Sequence, residues 1–164
     1  MSTSPKPKDE QGSPGGSSPS TIFFDPQGDT RLLVKVDESD KVFVVCAKAM
    51  CLACDAWKCM LSPDGFFKEA QPAADGMREV ELPEDDGNAL AILLNIAHLR
   101  FDEVPETLTF SELLALSVLT DKYGAAKLVK PRVKTWIELH DNNNNNKTTP
   151  KFEPRREHAH HQDQ

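Results

Sequence analysis

Four cysteines, Cys46, Cys51, Cys54 and Cys59, fall within one short stretch and are all the cysteines of the chain. Thiolates are the natural ligands of zinc and iron–sulfur clusters, and the first three share the spacing of plant-type ferredoxin ligands. Cys51-Leu52-Ala53-Cys54 also reads as the CxxC of a redox pair. Both chemistries make demands that the surrounding residues do not meet. A cluster loop must fold its amides around the metal, yet residues 47–61 contain no glycine and read as helix. A helix advancing about 100° per residue turns Cys51 and Cys54 to one side and Cys46 and Cys59 elsewhere. The CxxC has an apolar centre and lacks the βαβ setting of a thioredoxin-like motif. The cysteines are therefore expected to be free packing thiols, with no metal and no cofactor.

Other candidate groups read in the same way. His158, His160 and His161 lie in a polar terminal stretch without residues to orient them as ligands. His98 falls near a helix C-terminus, where its charged form is favoured, and is expected to be structural. Glu84-Asp85-Asp86 lacks the alternation of a calcium loop, so capping and solvation are its expected roles. There is no phosphate-cradling glycine loop, nucleophile elbow or carboxylate pair placed with a histidine. No enzyme is expected.

Composition bounds the rest. Of the first twenty residues thirteen are Ser, Pro or Gly, and residues 140–164 open on an asparagine run and stay polar. Such segments cannot offset the entropy of ordering, so 1–21 and 140–164 are expected to be disordered around one domain over 22–139. That domain carries the whole net charge of −7, as 13 basic against 20 acidic side chains. An acidic surface repels phosphate, which argues against nucleic acid as a partner. No stretch has the apolar length of a membrane span or a secretory signal, so no membrane contact and an intracellular place, cytoplasmic or nuclear, are expected.

The elements that must position these residues follow from periodicity. Residues 32–36 and 42–45 are β-prone runs joined by a polar linker, which predicts an antiparallel hairpin, and residues 79–82 alternate as a third strand. From Cys46 the period turns helical, with Met50, Cys54 and Trp57 on one side. Asp86 is a predicted N-cap for an apolar helix from Ala89 to Ala97 that belongs inside the body. Thr109 and Glu112 have capping-box spacing, and Tyr123-Gly124 ends that helix. Pro131 predicts a kink or two short helices in the last element. The expected fold is α+β, with five to six helices capped by a small three-stranded sheet.

In this order the elements resemble a BTB/POZ domain of the short kind common in fungi. The resemblance rests on the elbow over residues 43–61, on Phe66-Phe67-Lys68-Glu69, on Glu81-Leu82-Pro83-Glu84-Asp85-Asp86 and on Leu93-Leu94-Asn95-Ile96-Ala97-His98. It continues through residues 100–105 and 119–123 to Trp136-Ile137. Cys46, Cys54 and Asp55 depart from the family pattern, which has His, Ser and often Pro there. The resemblance implies a non-enzymatic interaction module that pairs with itself or another BTB-type protein. An apolar surplus around the elbow places the predicted interface at Ile22, Phe23, Phe24, Val44, Met50 and Leu52, since these and Trp57 are too many for one small core. Phe101 and Glu103 form a hydrophobic-x-Glu step that in cullin-adaptor relatives helps contact the ubiquitin-ligase scaffold, so a cullin is the alternative partner.

Overall fold

The computed structural model of the chain describes residues 19–62, 72 and 74–148. Expectations for 63–71, for the first eighteen residues and for the histidines beyond 148 lie outside the described residues. Four strands and five α-helices are formed among them: β1 Ser20–Phe23, β2 Thr30–Val36, β3 Ser39–Val45, α1 Ala47–Ala53, α2 Asp55–Leu61, β4 Arg78–Asp86, α3 Gly87–Ala97, α4 Phe110–Tyr123 and α5 Ala126–Thr148. A short 3-10 turn, Phe101–Glu103, links α3 to the last helix pair.

The class is α+β, and the sheet is mixed, with strand order β1-β3-β2-β4. It therefore has four strands where the sequence predicted three. β2 and β3 form the expected antiparallel hairpin, and Asp37 and Glu38, both at positive φ, make its two-residue turn. The additional strand, β1, runs parallel to β3. It holds Ile22 and Phe23 and begins at Ser20, before the expected domain start at 22. α5 likewise runs past 139.

Alternation decides what the sheet buries. Leu32 and Val34 of β2, Phe43 and Val45 of β3, and Val80 and Leu82 of β4 face the helices and are buried. Against them lies α3, in which Leu90, Leu93 and Leu94 are fully enclosed. This helix is apolar over most of its girth and sits inside the body, as its composition requires. Asp86 accepts a hydrogen bond from the Ala89 amide at 2.8 Å and caps it. Gly87 opens the helix so close to β2 that a Cβ there would run into the Lys35 carbonyl oxygen.

α1 and α2 are two helices, not one. The break is at Cys54, whose backbone is extended, and each helix is seven residues long. Met50, Cys54 and Trp57 nevertheless share the buried side that their spacing predicts. α5, by contrast, is a single helix through Pro131. The proline lies on the exposed side, where water can take the carbonyl left without a donor, so neither a second helix nor a break is required.

α4 carries the complete capping box of Thr109 and Glu112, and Gly124 at φ 61° ends it. The Thr109 hydroxyl and amide, by hydrogen bonding, hold the Glu112 carboxyl below its ordinary value. Thr109→Ala is expected to cost about 1 kcal/mol at pH 7. Because the folded-state pKa of Glu112 is depressed, its contribution is present above the ordinary value of 4.5 and is lost as pH falls through the folded value. Urea unfolding of both proteins at pH 7 and pH 3 should show the gap between them narrowing in acid.

Candidate functional site

The four thiols occupy four different environments. Cys46 precedes α1 and is half-buried, Cys51 is half-buried, Cys54 is buried and Cys59 is exposed. The Cys54 thiol donates to the Tyr123 carbonyl at 2.8 Å, which is what the extended break between α1 and α2 allows. Burial pushes the Cys51 thiol up from its ordinary value, opposite to the shift that activates a redox or ligand cysteine. Among the described residues, no three His, Cys, Asp or Glu side chains gather where they could hold a metal ion.

His98 corrects its own prediction. Its Nδ1 bonds the Leu94 carbonyl at 2.8 Å and its Nε2 faces the Cys46 amide at 3.0 Å. A carbonyl only accepts and an amide N–H only donates, so the ring is the neutral tautomer with its proton on Nδ1. Desolvation lowers its pKa and outweighs the helix C-terminus that was expected to favour the charged form. The ring fastens the end of α3 to the start of α1.

Asp85 is the residue that sequence reasoning missed. It was expected in solvent, yet its side chain is 1% exposed. The pairing of β2 with β4 shifts register between Val34 and Lys35, so inward alternation of Val80 and Leu82 resumes at Asp85. The carboxylate accepts from Lys122 Nζ at 2.5 Å and from the Tyr123 hydroxyl. Burial, reinforced by the neighbouring carboxylate, raises the Tyr123 pKa and keeps the phenol a donor. A bulge is not encoded in alternation, which is why the period-2 reading failed here.

The predicted interface residues divide into two sets. Phe24, Val44 and Met50 are 6%, 6% and 0% exposed and belong to the chain's own interior. Phe24 packs edge-on against Phe43 at 5.1 Å between ring centroids. Val44 points away from the helices but is covered by the turn between β1 and β2, where Gly28 sits so close that a Cβ would lie 2.8 Å from Val44 Cγ1. Met50 and Trp57 take places in the core, whereas Val44 is buried outside it and Leu52 is left in solvent, so the surplus is real but falls on fewer residues than predicted. Ile22, Phe23 and Leu52 remain exposed, at 41%, 53% and 74%.

Arg100 joins this exposed set to the predicted hydrophobic-x-Glu step. Its guanidinium donates to the Phe23 carbonyl at 2.8 Å, lies 5.6 Å from the Phe24 ring centroid and pairs with Glu103 at 3.8 Å. Phe101 stands beside it, 48% exposed. Leu99, which was not singled out from sequence, is 75% exposed and adopts φ 59°. It ends α3 in a Schellman turn, with the Arg100 amide bonded to the Asn95 carbonyl at 2.8 Å, at the position glycine normally takes. A left-handed non-glycine residue costs roughly 1–2 kcal/mol, and at 75% exposure Leu99 gains little burial among the described residues to offset it. Leu99 also borders an open cleft of about 320 Å3 with Phe24, Cys46 and Ala49. Leu52 lies one helical turn beyond Ala49. Phe23, Leu99 and Phe101 thus lie exposed near the Arg100 guanidinium, with Leu52 further along α1.

No family model matches the chain, and no curated protein matches it. No helix among the described residues is long and apolar enough to cross a membrane.

Tyr123→Phe removes one of two donors to a buried carboxylate and should lower stability by about 1.5–3 kcal/mol, read from chemical denaturation. Met50→Asp should leave no cooperative unfolding transition at all, since it puts a charge into a fully enclosed site. A cooperative Met50→Asp melt would contradict the burial described here.

Proposed function

We propose that the chain is a non-enzymatic protein–protein interaction module of the BTB/POZ type, pairing with itself or with a related domain. The contact region takes in Leu52 and Leu99 around Arg100 and the β1 edge, where Ile22 and Phe23 point to opposite faces of the sheet. The observation that carries this reading is Leu99, a large apolar side chain held in a left-handed turn and left in solvent. Local strain kept at an exposed apolar residue is the mark of a surface with a use.

The sheet edges support the same face. β4 is an outer strand guarded by Glu79, Glu81, Pro83, Glu84 and Asp86, the devices that stop strands from adding to an edge. β1, at the other edge, has no charged residue and all four of its residues are exposed. The apolar face thus adjoins an unguarded edge. The order of elements, with a strand-to-helix elbow at Cys46 and a sheet capping a helical body, supports the family resemblance.

In sedimentation experiments at tens of micromolar, the full chain is expected to run as a dimer. Phe23→Asp and Leu52→Asp should each weaken association at least tenfold while leaving the thermal melt unchanged, because both side chains are exposed. Leu99→Gly separates strain from contact: it should stabilise the fold by about 1 kcal/mol and weaken pairing. A monomer at millimolar concentration, or association indifferent to all three changes, would remove the proposal.

A second reading is favoured by one observation. Phe101 and Glu103 stand exposed on the 3-10 turn, with Glu103 held by Arg100. That arrangement suits an adaptor that docks on a cullin scaffold. A direct pull-down with a purified cullin, abolished by Phe101→Ala with Glu103→Lys, distinguishes it from self-pairing alone.

A further inference from the structure

A second apolar surface lies on the last helix pair, separate from the Arg100 face. α4 and α5 are joined at Gly124 and Ala125 and run back along each other, bringing the rings of Phe110 and His140 to 6.3 Å. Between them is a groove of about 350 Å3 whose walls include Leu113, Leu116, Val129 and Trp136, with Ser117 and Asp121 on the α4 side and no acid on the α5 side. On the α4 rim, Phe110, Leu114 and Val118 follow at intervals of four and are 68%, 54% and 59% exposed. On the α5 rim, Val133 and Ile137, also four apart, are 36% and 49% exposed. Residues four apart on a helix share a side, so each rim is a continuous apolar stripe. A surface of two parallel stripes flanking a groove is the shape that accepts one further helix.

Charge specifies the occupant. The domain is acidic overall, yet residues 126–134 carry Lys127, Lys130, Arg132 and Lys134 and no acid. Arg132 is turned towards the Phe101 carbonyl, at 3.4 Å. Lys127, Lys130 and Lys134, at spacings of three and four, stand exposed along the side of α5 next to Val133 and Ile137. Like charges at these spacings repel by a few tenths of a kcal/mol per pair, and among the described residues Lys134 alone of the three is paired, with the exposed Glu138 at 3.7 Å. A basic flank beside an apolar stripe on an acidic protein complements an occupant that is apolar on one side and acidic beside it.

The two terminal segments outside the described residues offer no such helix. Residues 1–18 contain no apolar run, and residues 149–164 hold Lys151, Arg155 and Arg156 beside a lone Phe152. A second copy placed face to face would bring a second set of the same lysines.

We propose that the α4–α5 groove is a docking site for an amphipathic helix of another protein, one with acidic residues flanking its apolar stripe. Leu114, Val118, Val133 and Ile137 take the apolar side, and Lys127, Lys130 and Lys134 meet the acidic flank. The site is independent of the pairing face proposed above.

The test is selection from a displayed library of single-helix peptides with randomised flanks. The bait is the full chain, with counter-selection against the Leu114→Glu, Ile137→Glu double variant. Both changed positions are exposed, and an unaltered thermal melt verifies that the variant folds. The expected result is a set of peptides with paired apolar positions and an excess of Asp and Glu on one flank. They should lose at least tenfold in affinity towards the double variant and towards Lys130→Glu with Lys134→Glu. Selection that yields no peptide discriminating between chain and variant would overturn the proposal, as would peptides with neutral or basic flanks. Sedimentation of the double variant adds a further outcome: a loss of self-association would assign the groove to a second copy and likewise overturn it. Loss of pairing in Phe23→Asp with peptide binding intact would separate the two surfaces.

Discussion

A buried carboxylate organises this fold. Asp85 sits at the end of β4, one residue before the cap of α3, and is held by Lys122 and Tyr123 from the end of α4. A carboxylate in this position is stable only while its donors are in place, since desolvating an unpaired charge costs far more than one hydrogen bond returns. The sheet edge and the C-terminal end of α4 are therefore bound to each other. The same Tyr123 accepts the Cys54 thiol through its carbonyl, which couples the break between α1 and α2 to the same point. Its ring lies 5.6 Å from that of Trp57, so the polar knot is walled by aromatic packing.

From that point the other elements follow. Asp86 caps α3 as β4 ends, so the most apolar helix begins at the sheet and crosses beneath it. At its far end the neutral His98 ring fastens α3 to the amide that opens α1. α3 is thus tied at both ends by polar contacts while its sides are enclosed by Leu32, Met50 and Leu116 among others. Directional bonds at the ends and undirected burial between them explain why a body of short helices holds one arrangement.

What could be read from the residues was local. Caps at Asp86 and Thr109 and the glycine stop at Gly124 depend on a few neighbours, and all three stand as predicted. The buried side of Met50, Cys54 and Trp57 was legible too, because burial follows spacing even where the helix breaks. Failures occurred where a distant residue decides the outcome. Asp85 turns inward through a shift in pairing with β2. His98 has its pKa lowered by desolvation in the contact between α3 and α1, where the Cys46 amide donates to its Nε2. Val44 is covered by a turn that Gly28 allows to approach. The apolar surplus around the elbow was a correct observation with a wrong division: Phe24, Val44 and Met50 went to the core, while Leu99, invisible to periodicity because it ends a helix, went to the surface.

The two exposed apolar faces differ in a way that bears on how they would be used. The face around Arg100 combines a strained turn, an unguarded strand edge and a single fixed cation, and its residues come from β1, α1 and the end of α3. Elements that distant in sequence are held in register only by the intact core, so this face exists only in the folded chain. The α4–α5 surface is built from two adjacent helices, and its apolar stripes and lysines are set by helical spacing alone. It lies on the outer side of the pair that grips Asp85. α4 supplies Lys122 and Tyr123 to the buried carboxylate and, from other positions of the same helix, Leu113 and Leu116 to the groove. A helix fixed on one side by a charge it must keep covered is a rigid platform on the other, and rigid platforms lose less entropy when a partner docks.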